Sequence, residues 1–308
     1  MIIIDQLTKA FGRHNVLDGL SLSIQAGDRV ALIGANGAGK TTLIRCLLGE
    51  YTYDGELLVD GRSPRLERRE VLKDIGFVPQ LPPPLKMPVA DLVRFAAVVS
   101  ATEQSRIVDV LSRLGLHLAD VAGKPFVKLS GGQKQKILAA IALGRACRLL
   151  ILDEPTANLD PAARKVLFDL LAAEPERPML ISSHRLEEVV GLVNRVIELD
   201  RGKVVLDERI ASAANVGTRH LSRISANRPN DTFARALASW GFTANGDGTA
   251  WHGEVAGADR LRFLAMLTRF GGLISSFELQ GEEATGKPNG KLVISAATEE
   301  RDVRQEPR

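Results

Sequence analysis

The sequence predicts an α/β layered domain built around a parallel sheet, followed by a second, smaller α+β domain. Three observations carry this prediction. Short apolar runs alternate with amphipathic helical stretches through most of the chain; a glycine-rich turn joins one such run directly to a helix; and the alternation ends near Asp207, where an alanine-rich stretch leads into a compact βαββαβ pattern.

Taken in order, strand-like runs stand at 2–4, 29–33, 57–59, 75–78, 149–152, 179–182 and 196–199, and helices are expected after Gly39, Pro88, Glu103, Ser130, Pro161 and Arg185. Strands covered by helices on both faces read as continuous apolar runs, which is the pattern here. This first domain is assigned residues 1–210, and 211–218 reads as a linker.

The second domain is assigned 219–280. Residues 220–226 form a strand candidate, and a helix follows that places Phe233, Leu237 and Trp240 on one face, with Asn230 or Asp231 as its cap. Residues 242–244 and 250–255 read as a hairpin about Asn245-Gly246-Asp247-Gly248. Leu261, Leu264, Leu267 and Phe270 then stand at helical spacing, Gly271-Gly272 ends that helix, and 273–279 reads as the last strand. The order suggests a ferredoxin-like or ACT-like sandwich, with Trp240, Trp251 and Phe263 as core. The polar tail, 281–308, is expected to be disordered or to add a short strand at 291–295.

Bulk properties narrow the function classes. A net charge of +3 on 308 residues, without a basic stripe, argues against a nucleic-acid partner. Cys46 and Cys147 stand far apart with no metal-ligand spacing, which fits a reducing cytosol. No basic-then-apolar leader precedes the first strand, and no run reaches the roughly 18 apolar residues that span a bilayer, so a membrane role is expected to need a separate subunit.

The chemistry is concentrated in three motifs. Gly34-Ala35-Asn36-Gly37-Ala38-Gly39-Lys40-Thr41 follows an apolar strand and opens a helix, which makes an anion nest: glycines let backbone N–H groups point inward, and the helix adds its positive end. Lys40 would reach β- and γ-phosphates, the Thr41 hydroxyl would ligate Mg²⁺, and Asn36, Gly37, Gly39 and Thr42 would complete the loop around the nucleotide. The second motif ends the apolar run Leu149-Leu150-Ile151-Leu152 in Asp153-Glu154-Pro155: Asp153 can hold Mg²⁺ through water and Glu154 can polarise the attacking water. In the third, Leu129-Ser130-Gly131-Gly132-Gln133, Ser130 caps a helix whose glycines expose N–H groups, making a second nest. One nucleotide does not need two nests from one chain, so the second is expected to complete the site of another copy.

These three motifs, in this order, resemble the ATP-binding cassette (ABC) ATPases, with a phosphate loop, an acidic strand end and the signature sequence; the resemblance covers residues 1 to about 208. It implies a P-loop NTPase fold, ATP and Mg²⁺ as ligands, and further roles. Gln80 matches the glutamine that senses Mg²⁺ and the γ-phosphate, His184 the switch histidine, and Asp160 the loop that meets the opposing subunit, where Asn158 departs from the small residue often found. Phe11 takes the place of the aromatic that stacks on adenine, with a core phenylalanine as the competing reading. Leu81-Pro82-Pro83-Pro84-Leu85-Lys86-Met87-Pro88 reads equally as a stiff partner-binding segment or as a rigid loop.

In family terms, two copies would close head to tail on two ATP molecules, each held by the phosphate loop of one and by Ser130, Gly131, Gly132 and Gln133 of the other. Such a cassette would serve an integral membrane permease from the cytoplasmic face of the inner membrane. A soluble non-transport ABC ATPase is the competing class. With its appended domain the chain is similar to ATPases of ABC-2 exporters, and as a whole to the NosF-type ATPases of nitrous oxide reductase maturation, which support assembly of a copper centre alongside a periplasmic maturation protein. His220, His252 and Met266 have no spacing suited to a copper site.

Overall fold

The computed structural model describes residues 1–184, 186–210, 219–256, 263–264, 266–267, 270–282 and 288–295. The chain divides into two compact units between Ile210 and Ala211. The expected linker at 211–218, most of the expected helix at 258–270 and most of the tail fall outside the described residues.

The strands of the first unit are β1 (Ile2–Phe11), β2 (His14–Ile24), β3 (Arg29–Ile33), β4 (Asp54–Val59), β5 (Ile75–Val78), β6 (Leu149–Asp153), β7 (Met179–Ser182), β8 (Arg195–Asp200) and β9 (Lys203–Arg209). Its helices are α1 (Lys40–Leu47), α2 (Arg68–Lys73), α3 (Val89–Val99), α4 (Gln104–Arg113), α5 (Leu118–Val121), α6 (Gly131–Gly144), α7 (Pro161–Ala172) and α8 (Leu186–Val189). Six strands form a sheet in the order β5-β6-β7-β3-β8-β9, parallel except for the antiparallel edge strand β9. Every residue of β3, β6 and β7 is buried, as their continuous apolar runs require.

A second, antiparallel sheet, β2-β1-β4, was not anticipated beyond short pieces of β1 and β4. In β2, Leu20, Leu22 and Ile24 are buried and alternate with exposed Ser21 and Ser23, the pattern of a half-solvated strand. Asp18-Gly19 breaks that pattern on the N-terminal side, and the β1–β2 register shifts three times between Ile4 and Ala10, so no regular period survives in the sequence. The two sheets share one core, in which Leu17, Leu20, Leu43, Ile44, Leu47, Ile151 and Ile197 are all at most 2% exposed.

Two arginines anchor one edge of the sheet, at the starts of the neighbouring parallel strands β3 and β8. Arg29, at the start of β3, donates to the carbonyls of Leu171 (2.9 Å), Glu174 (2.6 Å) and Leu192 (2.7 Å), so it satisfies orphan carbonyls at the end of α7. Arg195, at the start of β8, pairs with Asp28 (2.9 Å) and Asp207 (2.6 Å), and Arg209 joins Asp28 at 2.9 Å.

The second unit contains β10 (Arg219–Ala226), α9 (Asp231–Ser239), β11 (Thr243–Ala244), β12 (Ala250–Ala256), β13 (Ile274–Glu282) and β14 (Pro288–Ser295). All neighbouring strands in the order β11-β12-β10-β13-β14 are antiparallel. Its first four members have the split βαβ arrangement of ferredoxin-like folds. The sheet continues past the expected end at Gln280, because β14 pairs with β13 and begins at Pro288, before the expected 291. Asn230, rather than Asp231, caps α9: its Oδ1 accepts from Phe233 N at 2.9 Å. Trp251 and Phe263 lie in the core with Phe233 and Phe277, and Trp240 packs against it. Gly253 leaves room for the Phe242 ring, since a Cβ there would stand 2.7 Å from it.

Candidate functional site

Parallel strands point their C-terminal ends to one edge, and open α/β sheets build sites there. Here four adjacent strands deliver four motifs to that edge. The glycine loop follows β3, Gln80 follows β5, Asp153-Glu154 ends β6, and His184 follows β7. The register brings them level: Val78 pairs with Leu152, Asp153 with Ser182, and Leu32 with Ser182.

The glycines of the loop are needed for different reasons. Gly34 has φ +144° and its missing Cβ would run into the Leu199 carbonyl. Gly39, with φ +109°, stands where a Cβ would be 2.9 Å from both Leu17 Cδ2 and the Val16 carbonyl. Only glycine gives the loop its course against β2 and β8. Inside it, the Lys40 ammonium donates to the carbonyls of Gly34 (2.6 Å) and Ala35 (3.1 Å). Burial lowers the Lys40 pKa, while the Glu154 and Asp153 carboxylates oppose the shift.

A cleft of about 320 Å³ is lined by Asn36, Gly37, Gly39, Lys40, Thr41 and Thr42 of the loop and helix, together with Gln80, Glu154 and Val16. An adjoining cleft of about 370 Å³ adds His184 and Ala157 to Asn36, Gln80 and Glu154. Val16 carries no sequence signal; it arrives because β2 runs beside the loop. A larger cavity of about 740 Å³ on the second unit is lined by Leu221, Arg223, His252, Glu254 and Glu278 among others, and it gathers none of the motif residues. Convergence of the glycine loop, Lys40 and acidic groups, rather than volume, marks the smaller clefts as the candidate site.

Glu154 is 8% exposed and adopts φ +47°, a left-handed conformation that a non-glycine residue holds only under constraint. Ser182 supplies part of that constraint. Its hydroxyl donates to Asp153 Oδ1 at 2.6 Å and accepts from Glu154 N at 3.0 Å, so one side chain fixes both carboxylate-bearing residues. A serine closing a strand has no distinctive signal in sequence; only the pairing of β6 with β7 reveals its part. The Glu154 carboxylate then meets His184 Nδ1 at 2.8 Å. Asp153 is 3% exposed.

Ser130, Gly131, Gly132 and Gln133 line neither cleft. They form the start of α6, where Ser130 Oγ accepts from Gln133 N (3.2 Å) and Gln133 Oε1 accepts from Ser130 N (3.1 Å), a reciprocal capping box. Ser130 and Gly131 are solvent-exposed. Asp160 caps α7, accepting from Ala163 N at 2.8 Å, and pairs with Lys136 at 3.3 Å. Phe11 is 47% exposed and sits edge-on to Tyr51 with the Lys9 ammonium 4.9 Å from its ring centre; it lines neither cleft and is not a core residue.

Thr41, Gln80 and Asp153 offer hydroxyl, amide and carboxylate oxygens, a donor set of the hard type that suits Mg²⁺. Among the described residues no group of three or more His, Cys, Asp or Glu could hold a metal ion by itself, and no helix is long and apolar enough to cross a membrane.

Comparison with known proteins places this geometry in a family. The family model described as ABC transporter matches residues 17–157. The lantibiotic transport ATP-binding protein SrtF of Streptococcus pyogenes is 32% identical over 220 residues, covering 70% of this chain and 94% of its own. The phosphonates import ATP-binding protein PhnC 1 of Pseudomonas aeruginosa is 33% identical over 233 residues, 67% of this chain and 83% of that one. The dimeric structure of MJ0796, a bacterial ABC transporter cassette, superposes with a TM-score of 0.61 at 24% identity, covering 69% of this chain and all of that one. The chain therefore belongs to the ATP-binding proteins of ABC transporters and is an ABC ATPase.

Proposed function

We propose that this chain is the ATP-hydrolysing, energy-coupling subunit of a membrane transporter, acting as a head-to-tail homodimer on a separate integral membrane permease at the cytoplasmic face of the inner membrane. One observation carries the reading: Lys40 with its loop, Gln80, Glu154 and His184 share adjoining clefts, while the capped, exposed turn at Ser130 lies outside them. Such a half-site becomes whole when a second copy supplies its Ser130, Gly131, Gly132 and Gln133.

In this mechanism the loop N–H groups and Lys40 hold the β- and γ-phosphates of ATP. Glu154 accepts a hydrogen bond from the attacking water and orients it; His184, fixed on Glu154, faces the γ-phosphate; and Gln80 reports phosphate occupancy to the segment that follows it. Thr41, Gln80 and Asp153 would hold Mg²⁺, Asp153 through water, and the ion when bound would supply charge neutralisation at the phosphates. Asp160 acts at the boundary with the other copy, and Phe11, 47% exposed, would stack on adenine.

A surface for the permease lies on α3, where Phe95 (58% exposed), Val98 (74%) and Val99 (62%) form one stripe. Leu81, 76% exposed, adds to the apolar surface just after Gln80. Glu154→Gln should trap the ATP-bound dimer; purified from solubilised membranes with ATP and Mg²⁺, it should carry a multi-spanning permease. A soluble or ribosomal partner set would overturn the transporter role and leave the ATPase in place.

For the cargo system we infer nitrous oxide reductase maturation, with a periplasmic maturation protein reached through the complex and copper-centre assembly as the outcome. Support comes from the likeness of the whole sequence, including its appended α+β unit, to the NosF type; another ABC-2 exporter is the alternative. Deleting the gene should abolish the copper-centre absorption of that reductase, and an unchanged spectrum would remove this assignment.

A further inference from the structure

The first turns of α6 lie directly on the loop that follows Glu154. Gly132 is so close to it that a Cβ would stand 2.9 Å from the Asn158 carbonyl, Gln135 Nε2 donates to the Pro155 carbonyl at 3.2 Å, and Lys136 pairs with Asp160 at 3.3 Å. These three residues, spaced i, i+3 and i+4, form one helix face. Gln135 is the anomaly among them. Its side chain is fully buried, and among the described residues its Oε1 has no hydrogen-bond partner. A hydrocarbon of the same shape would fill the space without stranding an acceptor, so packing alone does not account for an amide here. What the amide does is hold the carbonyl of the residue next to Glu154, at the exit of the φ +47° turn that aims the carboxylate.

We infer that Gln135 is a positioning residue that couples the two ATP sites of the dimer. The inference rests on the proposed cross-dimer role of Ser130. When the turn at Ser130 engages the nucleotide of the opposing copy, α6 moves with it, and Gln135 carries that displacement to Pro155 and so to the Glu154 of its own chain. Each site then reaches its hydrolytic geometry only when the other is occupied.

The test uses the full-length chain with Gln135→Met and Gln135→Leu, checked for fold by circular dichroism and for nucleotide affinity. Expected are unchanged ATP affinity, a kcat lowered roughly tenfold to a hundredfold, as misplacement of a reacting group by up to about 1 Å produces, and a Hill coefficient reduced towards one. Mixed dimers locate the effect. A Gln135→Met subunit paired with a Glu154→Gln subunit leaves the only working Glu154 beside the altered residue, and this dimer should lose the residual activity. A wild-type subunit paired with a Gln135→Met, Glu154→Gln double variant should keep it. Equal activity of the two dimers, wild-type kcat and Hill coefficient in both single variants, or loss of fold in both would each overturn the inference while leaving the ATPase reading standing. Absence of ATP hydrolysis by the wild-type chain would instead remove the reading on which the inference depends.

Discussion

The imidazole of His184 and the carboxylate of Glu154 meet at 2.8 Å, Nδ1 to Oε2, although thirty positions separate them in the chain. Glu154 is almost wholly enclosed, while the His184 side chain is 60% exposed, so the pair joins a buried carboxylate to a solvent-facing imidazole. In the proposed role of general base, a carboxylate held in this way would contribute through position as much as through basicity.

Glu154→Gln should therefore lower kcat by about 10²- to 10⁴-fold with little effect on ATP binding, the range usual for a positioned base. Steady-state hydrolysis and equilibrium nucleotide binding measure the two separately. Normal turnover in this variant would show that the carboxylate is not the base.

Lys40→Ala removes an ammonium that the loop itself holds through Gly34 and Ala35. A hydrogen bond to a charged group is worth about 1.5–3 kcal/mol, so ATP affinity should fall by roughly ten- to a hundredfold. Isothermal titration with ATP reads this directly, and an affinity within twofold of wild type would exclude the assigned contact.

Ser130 has two separable duties, and two substitutions divide them. Ser130→Ala removes the cap of α6 and should cost about 0.5–2 kcal/mol in urea unfolding. Ser130→Asp keeps a capping oxygen, which restores stability, but places a negative charge where the opposing nucleotide would bind; ATP-driven dimerisation, followed by size exclusion with Glu154→Gln present, should be lost. Dimerisation unaffected by Ser130→Asp would place the partner's contact elsewhere.

Acid stability should depend on Asp28. Burial alone would raise this carboxyl, but the Gln25 N–H, Arg195 and Arg209 together hold it below its usual value. A carboxylate with a depressed folded pKa adds stability above its unfolded pKa of about 3.9 and loses it as pH falls through the lower, folded value. Urea unfolding across pH should show this loss below about pH 4. Asp28→Asn should flatten that limb and cost about 2 kcal/mol at neutral pH, because Arg195 and Arg209 each lose a charged partner while Arg195 keeps Asp207. An acid limb identical to wild type would assign it to other carboxylates.

Much of the candidate site was legible in the sequence because its parts are local. The phosphate loop, the acidic strand end and the Ser130 turn each announce themselves through contiguous residues whose backbone demands are strict, and the runs at 29–33, 75–78 and 179–182 coincide with whole strands. Continuous apolar runs are unambiguous where both faces of a sheet are covered. The antiparallel sheet was legible only in fragments, since a bulged, half-solvated ribbon such as β1–β2 has no regular period. What the tertiary structure alone decided is adjacency. Parallel pairing, which no single segment encodes, set Asp153 beside Ser182 and Glu154 against His184, while the packing of α6 brought Gln135 to Pro155. A sequence states which groups a chain has; the register of its sheet and the face of its helices determine which of them can act together.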